Sequence, residues 1–394
     1  MINQTSYEYG AQPNAMRELH AYGEARKAVV GEDKVYDFSL GNPSVPAPDS
    51  VAEAITEIAK MPAVQLHGYT PAQGLVSTRT AIADNLNRRF GTDYTYENLY
   101  LTLGAAASLD ASIGAVTNRG DNVIVIAPFF SEYTVWIEHA GATCVEVPAR
   151  ATDFQIDPDA LASAINDRTS AVIINSPNNP VGVIYTPENL EETAAVLRAK
   201  SKEYGHPIFL ISDEPYREIY YDEANKPSWV PDIYENTLVC YSWSKSLSMP
   251  GERMGYVLVP NKVEDSRNVY LAVAGSGRAL GYICAPALFQ LVIERCVDEM
   301  PDIESYRTNK ELLKSILDEY GYEYIEPQGA FYLWMKALEP DAEAFSEKAK
   351  EHELMLVPSD TLGSKGWVRL GYCVSKETIE GSREAFGALM ADYR

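Results

Sequence analysis

The stretch Tyr241-Ser-Trp-Ser-Lys245-Ser-Leu-Ser-Met-Pro-Gly-Glu-Arg253-Met-Gly-Tyr256 sets one lysine among small hydroxyl residues, with an arginine eight positions later. A neutral lysine amine condenses with a carbonyl group, while hydroxyls and a guanidinium fork hold phosphate oxygens. The stretch therefore suits a cofactor that carries an aldehyde and a phosphate, with Lys245 as the Schiff-base residue and Ser242, Ser244 and Arg253 as phosphate partners. Taken alone, a lysine in a serine-rich loop is an ordinary surface feature. The rest of the chain decides, by supplying or withholding the other parts of such a site.

Around this stretch, from residue 50 to 275, helix-length amphipathic segments alternate with short apolar runs. That alternation is the pattern of an α/β domain built on a mostly parallel sheet. Seven strands are predicted, at 99–103, 122–127, 143–147, 171–175, 208–212, 237–242 and 255–259. Helices are predicted at 75–90, 105–116, 130–140 and 187–204, the last opened by Thr186-Pro187-Glu188, a cap followed by a first-turn proline. Beyond Pro286 the chain reads as a long charged helix to residue 320, short strands near Tyr324, at 331–335 and at 367–372, and a final helix over 376–394. The expected organisation is a segment 1–49 joining the small domain, a large α/β domain 50–285 that binds the cofactor, and a small α+β domain 286–394. No low-complexity linker separates the two domains, so they are expected to pack closely.

Composition narrows the function classes. A chain of 394 residues is long enough for two or three domains, and its longest apolar runs are strand-length, far short of the roughly 18 residues of a membrane span. The N-terminus lacks the basic start and apolar stretch of a secretory signal, so a cytoplasmic location is expected. Five scattered cysteines, at 144, 240, 284, 296 and 373, form no Cys-x-x-Cys pair and accompany no histidine cluster, so neither a disulfide framework nor a metal site is expected. A net charge of −23 opposes nucleic acid and makes any anion site depend on locally placed arginines.

In open α/β sheets ligands gather at the carboxyl ends of the strands. Four clusters lie there. Strand 171–175 runs into Ser176-Pro-Asn-Asn179-Pro-Val-Gly182, where prolines fix the backbone and asparagines project. Strand 208–212 ends in Asp213-Glu-Pro-Tyr216, and a carboxylate there pairs with a pyridinium nitrogen or caps a helix. Strand 99–103 leads to Gly104-Ala105-Ala106-Ala107-Ser108, a small-residue turn opening a helix whose first amides suit a phosphate. Pro128-Phe129-Phe130 offers an aromatic to stack on a cofactor ring or to pack in the core.

In this order, the clusters resemble the class I/II aminotransferases, the fold-type-I pyridoxal phosphate enzymes, over nearly the whole chain. The motifs that carry the resemblance are Ser176-Pro-Asn-Asn179-Pro-Val-Gly182, Asp213-x-x-Tyr216, and Ser242-x-Ser244-Lys245 with Arg253. The resemblance implies pyridoxal 5′-phosphate as cofactor, Lys245 as its Schiff-base residue and Asp213 as partner of its ring nitrogen. Asn179 and Tyr216 are then donors to its phenolic oxygen, and Phe130 stacks on the ring. Ser242, Ser244, Arg253 and the amides of Ala105 and Ala106 form the phosphate cup. Tyr69, in His67-Gly-Tyr69-Thr-Pro-Ala-Gln-Gly74, matches the tyrosine that reaches the phosphate in a neighbouring subunit, which implies a homodimer with shared sites. Arg369 matches the arginine that forks a substrate α-carboxylate, with Asn179 beside it, and Gly41 lies in the segment that closes over the substrate.

The implied activity moves an amino group between an L-amino acid and a 2-oxo acid by a ping-pong mechanism, with the freed Lys245 as proton shuttle. An aspartate type is one form of it. Three departures bear on the substrate. Ala106 stands where some bacterial aspartate aminotransferases keep a lysine, and the register of Arg278 with the arginine that other members extend across the dimer is open. The turn Pro358-Ser-Asp-Thr-Leu-Gly363 also differs from the usual Pro-Gly-x-x-Phe-Gly. The alternatives are a carbon–sulfur β-lyase, a decarboxylase or a racemase on the same scaffold, or a catalytically silent protein of this fold.

Overall fold

The computed structural model describes residues 2–11 and 14–394. Seven strands form one sheet in the spatial order Leu99–Thr102, Gly255–Leu258, Thr237–Ser242, Phe209–Asp213, Thr169–Asn175, Asn122–Ala127, Thr143–Pro148. Only Gly255–Leu258 runs against its neighbours; every other pairing is parallel. The central strands are buried along their whole length, as expected for strands covered on both faces by helices. One face is covered by Ala105–Val116, Glu132–His139 and Ser266–Leu280, the other by Pro158–Ala164, Pro187–Tyr204 and Val230–Ile233. The expected cap of Pro187–Tyr204 forms: the Thr186 hydroxyl accepts from the Asn189 amide at 3.2 Å.

A second, antiparallel sheet orders Val357–Pro358, Trp367–Gly371, Tyr332–Lys336, Tyr324–Ile325. Tyr332 stands opposite Gly371 and Trp334 opposite Arg369, so Tyr332 and Arg369 share one face of this sheet. Its core gathers Tyr306, Leu313, Leu317, Phe331, Leu333, Phe345, Leu370 and Phe386 with Phe38 from the N-terminal segment and Tyr216 from the large sheet's loops. Tyr36–Asp37 adds a parallel pairing to Leu354–Met355.

Three expectations about helices change. The segment 286–320 is two helices, Ala287–Cys296 and Ile303–Tyr320, because Pro301 cannot continue a helix and Asp302 caps the next one through the Ser305 amide at 3.0 Å. The first of these buries Val292, Ile293 and Cys296 in one cluster with Ile82, Leu86 and Leu101. The final helix divides into Lys376–Gly381 and Arg383–Ala391, and the helix expected at 130–140 begins only at Glu132. Among the described residues, no helix is long and apolar enough to cross a membrane.

Candidate active site

A cavity of about 270 Å³ opens at the carboxyl ends of the central strands, between the two sheets. Its walls include Gly41, Ala105, Ala106, Phe130, Asn179, Asp213, Tyr216, Ser242, Ser244, Lys245, Arg253 and Arg369. Residues from positions 41 to 369 of the chain thus meet in one place.

Lys245 stands on the short helix Trp243–Ser246 that follows strand Thr237–Ser242. Its amine donates to Gly41 O and lies 5.5 Å from the centre of the Phe331 ring. Enclosure brings its pKa down to about 8, and the charges of Arg369 and Arg253 push the same way against the opposing influence of Cys373. An amine with this pKa is neutral, and so nucleophilic, in a far larger fraction of molecules near pH 7 than an exposed lysine.

Asp213 ends strand Phe209–Asp213 and is 5 % exposed. Its Oδ2 accepts from the Tyr133 hydroxyl at 2.5 Å, while Asn175 donates to the Asp213 carbonyl at 2.8 Å. Its Oδ1 has no partner among the described residues. Burial drives this carboxyl up to about 7; the hydrogen bond from Tyr133 opposes the rise and neighbouring Glu214 adds to it. A buried carboxyl oxygen left unpaired at a cavity wall fits a protonated aromatic nitrogen, which would satisfy the oxygen and hold the carboxyl ionised.

At the other end, Arg253 adopts a left-handed φ of 53° and donates to Pro250 O at 2.8 Å. Its guanidinium lies so close to Gly104 that a Cβ there would sit 2.7 Å from Nη2. Gly104 has φ 86° and caps the helix Ala105–Val116, whose first amides, Ala105 and Ala106, face the cavity. Free first-turn amides, a guanidinium and the Ser242 and Ser244 hydroxyls converge on a cradle for a phosphate dianion.

Arg369 is 1 % exposed. Its Nη1 donates to Asn179 Oδ1 at 3.0 Å and its Nη2 to Ser39 O at 2.5 Å, while Nε has no partner among the described residues. The guanidinium carbon lies 4.5 Å from the centre of the Tyr332 ring, a cation–π contact that presets its direction. Asn179 is fixed in turn by its own amide, which donates to Asn175 Oδ1 at 2.6 Å.

Two residues singled out in the sequence stand elsewhere. Tyr69 is fully exposed, beside a separate hollow lined by Leu66, Ile283, Cys284 and Phe289. Arg278 borders a neighbouring hollow with Gln73, Tyr100 and Ile283. Both lie outside the cavity of their own chain. In the other direction, sequence reasoning missed Tyr332, Asn175, Trp136 and Met16, which line the cavity, and Tyr133, which donates to Asp213. Tyr133 stands three positions after Phe130, the spacing of one turn in the helix expected over 130–140, and Asn175 closes a strand already identified. Met16, from the helix Ala15–Val30, gives no comparable signal.

The family model for aminotransferase class I and II matches residues 33–386. The chain belongs to that family. Among relatives, the aspartate/prephenate aminotransferase of Thermus thermophilus is 30% identical over 359 residues, covering 90% of each chain. The putative aminotransferase YugH of Bacillus subtilis is 31% identical over 79% of this chain and 81% of its own. Among solved structures, an aminotransferase from Eubacterium rectale is 52% identical with a TM-score of 0.97, covering 100% of this chain and 99% of that one. The Thermus thermophilus aspartate aminotransferase solved with maleate has 27% identity and a TM-score of 0.85, covering 99% and 100%. This aminotransferase therefore shares the large mixed, mostly parallel sheet and smaller antiparallel sheet of its structural neighbours. Its family membership makes it an enzyme of amino-group transfer, with amino acids and 2-oxo acids as the fitting substrates.

Proposed function

We propose that this protein uses pyridoxal 5′-phosphate, attached at Lys245, to transfer the amino group of an L-amino acid to a 2-oxo acid in two half-reactions. The observation that carries the proposal is the placement in one cavity of a low-pKa amine, an unpaired buried carboxyl oxygen and a preset guanidinium. When bound, the cofactor supplies an aldehyde that condenses with amines and a ring that withdraws electrons from the carbon next to the nitrogen.

The chain's residues account for the rest. Arg253, Ser242, Ser244 and the amides of Ala105 and Ala106 hold the phosphate. Asp213 keeps the ring nitrogen protonated, Tyr216 and Asn179 donate to the phenolic oxygen, and Phe130 covers a ring face. Arg369 takes the α-carboxylate of the substrate, which places the α-proton for Lys245 to remove and return. Gly41 and Ser39 bring the N-terminal segment against Lys245 and Arg369, and this contact excludes water from the reacting atoms.

The proposed donors are L-amino acids in general, with aspartate one candidate by analogy with the relatives' names. Among the described residues lining the cavity, the lysines and arginines are Lys245, Arg253 and Arg369, each already given a role. A cation for a second carboxylate would have to come from beyond these walls. Loaded protein mixed with single amino acids should change its visible absorbance and regain it on adding a 2-oxo acid, without release of ammonia. Pyruvate and ammonia formed with no acceptor present would instead mean a β-lyase.

Arg369→Lys keeps the charge and loses the fork, so kcat/KM for the amino acid should fall about 10–100-fold, the size of lost charge-assisted hydrogen bonds, mainly through KM. A drop confined to kcat would place Arg369 elsewhere in the reaction. The proposal includes a homodimer. Exposed Tyr69, Val64 and Ile283 form an outer apolar face that a second copy would cover, with Tyr69 completing its phosphate cradle. Sedimentation should give about twice the chain mass of 43.6 kDa; a monomer with full activity would remove the dimer from the proposal.

A further inference from the structure

The hydroxyls of Tyr216 and Tyr332 lie 3.0 Å apart, and their rings meet nearly edge to face at 5.7 Å and 81°. Both side chains are buried, at 5 % and 2 % exposure. A phenol has a single proton to give. If Tyr216 gives its proton to the cofactor's phenolic oxygen, the bond between the two tyrosines has Tyr332 as donor and Tyr216 as acceptor.

Two further contacts suit that direction. The Arg369 guanidinium, 4.5 Å from the Tyr332 ring centre, stabilises the negative charge that grows on the Tyr332 oxygen as it donates. The Tyr332 hydroxyl is also walled in: a carbon at the Cβ position of Gly41 would sit 1.8 Å from it, so the N-terminal segment leaves it no room to turn away. Burial lifts the Tyr332 pKa to about 12, against the opposing charge of Arg369, so the group stays a protonated donor across the working range.

We infer that Tyr332 is a positioning residue that acts through Tyr216, strengthening Tyr216's hydrogen bond to the cofactor's phenolic oxygen and linking that bond to the substrate-carboxylate arginine. The inference rests on the role proposed above for Tyr216. Hydrogen bonds to the phenolic oxygen draw off its electron density, so the proton shared with the neighbouring nitrogen leaves at lower pH. Removing one such bond, even a relayed one, raises that pH. The other ionisable groups facing this pair are Arg369, Asp213, Cys373, Tyr133 and Tyr306, with Lys245 and Arg253 on the same cavity, and Tyr332→Phe leaves all of them in place.

The test is a pH titration of visible absorbance on protein loaded with pyridoxal phosphate, for wild type, Tyr332→Phe, Tyr216→Phe and the double variant. The midpoint should rise by about 0.5–1 pH unit in Tyr332→Phe, as for one neutral hydrogen bond, and further in Tyr216→Phe. The double variant should match Tyr216→Phe alone. An unmoved midpoint in Tyr332→Phe, or a Tyr332→Phe increment that persists in the Tyr216→Phe background, would overturn the inference. An unmoved midpoint in Tyr216→Phe would instead overturn the role of Tyr216 itself. Thermal unfolding of the cofactor-free Tyr332→Phe protein should stay close to wild type; a large loss of stability would mark the hydroxyl as a structural element and sink the proposal.

Discussion

Replacing Lys245 by alanine is expected to lower amino-group exchange by at least about 10⁴-fold, the upper range for loss of one general acid–base group, because attachment is lost with it. Lys245 is the only lysine among the described residues lining the cavity, so no other amine there can take over attachment. The same change should abolish the visible absorbance of covalently held cofactor while leaving phosphate binding by Arg253 and the 105–106 amides. Lys245→Arg should behave like alanine in absorbance, since a guanidinium keeps the charge without the nucleophile. In the wild-type protein, loading with cofactor should speed up as pH rises through about 8, where the buried amine loses its proton. An alanine variant that retained both exchange and absorbance would remove Lys245 from the centre of the site.

Much of this site is legible in the sequence because each motif sits where a strand ends. Asn179, Asp213 and Lys245 follow strands that are adjacent in the sheet, so residues far apart in sequence are carried to one edge by topology that the apolar runs already imply. Tyr332 and Tyr133 carried less signal. Tyr332 reaches the cavity only because the small sheet sets it on the same face as Arg369, a register that no local pattern specifies. The helix breaks at 297–302 and at Ser382 were blurred for a related reason. Charged, amphipathic flanks continue across them, and at the first only Pro301 and the Asp302 cap mark the break locally, while packing of Ala287–Cys296 onto the large unit sets it apart from Ile303–Tyr320. The substrate side chain stays the least legible part: Tyr69 and Arg278 face outward from their own chain, so their neighbours are not set by one sequence alone.

Asp213 carries the second large prediction, and its sign follows from burial. The unfolded chain releases this proton near the ordinary aspartate value of 3.8, while the folded, cofactor-free protein holds it to about 7. Folding therefore takes up a proton between these values, so the stabilisation is complete below about pH 4 and is lost as pH rises through about 7. Three units correspond to about 4 kcal/mol at most, as an order of magnitude. Asp213→Asn mimics the protonated carboxyl, so thermal unfolding of the cofactor-free variant should lack this decline and leave it the more stable protein at pH 8. Bound cofactor reverses the logic: a cationic ring nitrogen stabilises the carboxylate, and the loaded wild type should hold its stability through pH 7. The asparagine loses that charge, and exchange should fall about 10²–10³-fold, as when one preorganised electrostatic partner is removed. Equal pH dependence in wild type and Asp213→Asn would mean that the carboxyl is already ionised in the empty cavity, with Tyr133 and Asn175 holding the charge. The unpaired Oδ1 argues against that outcome, because an ionised buried oxygen without a donor is the arrangement folding avoids most strongly.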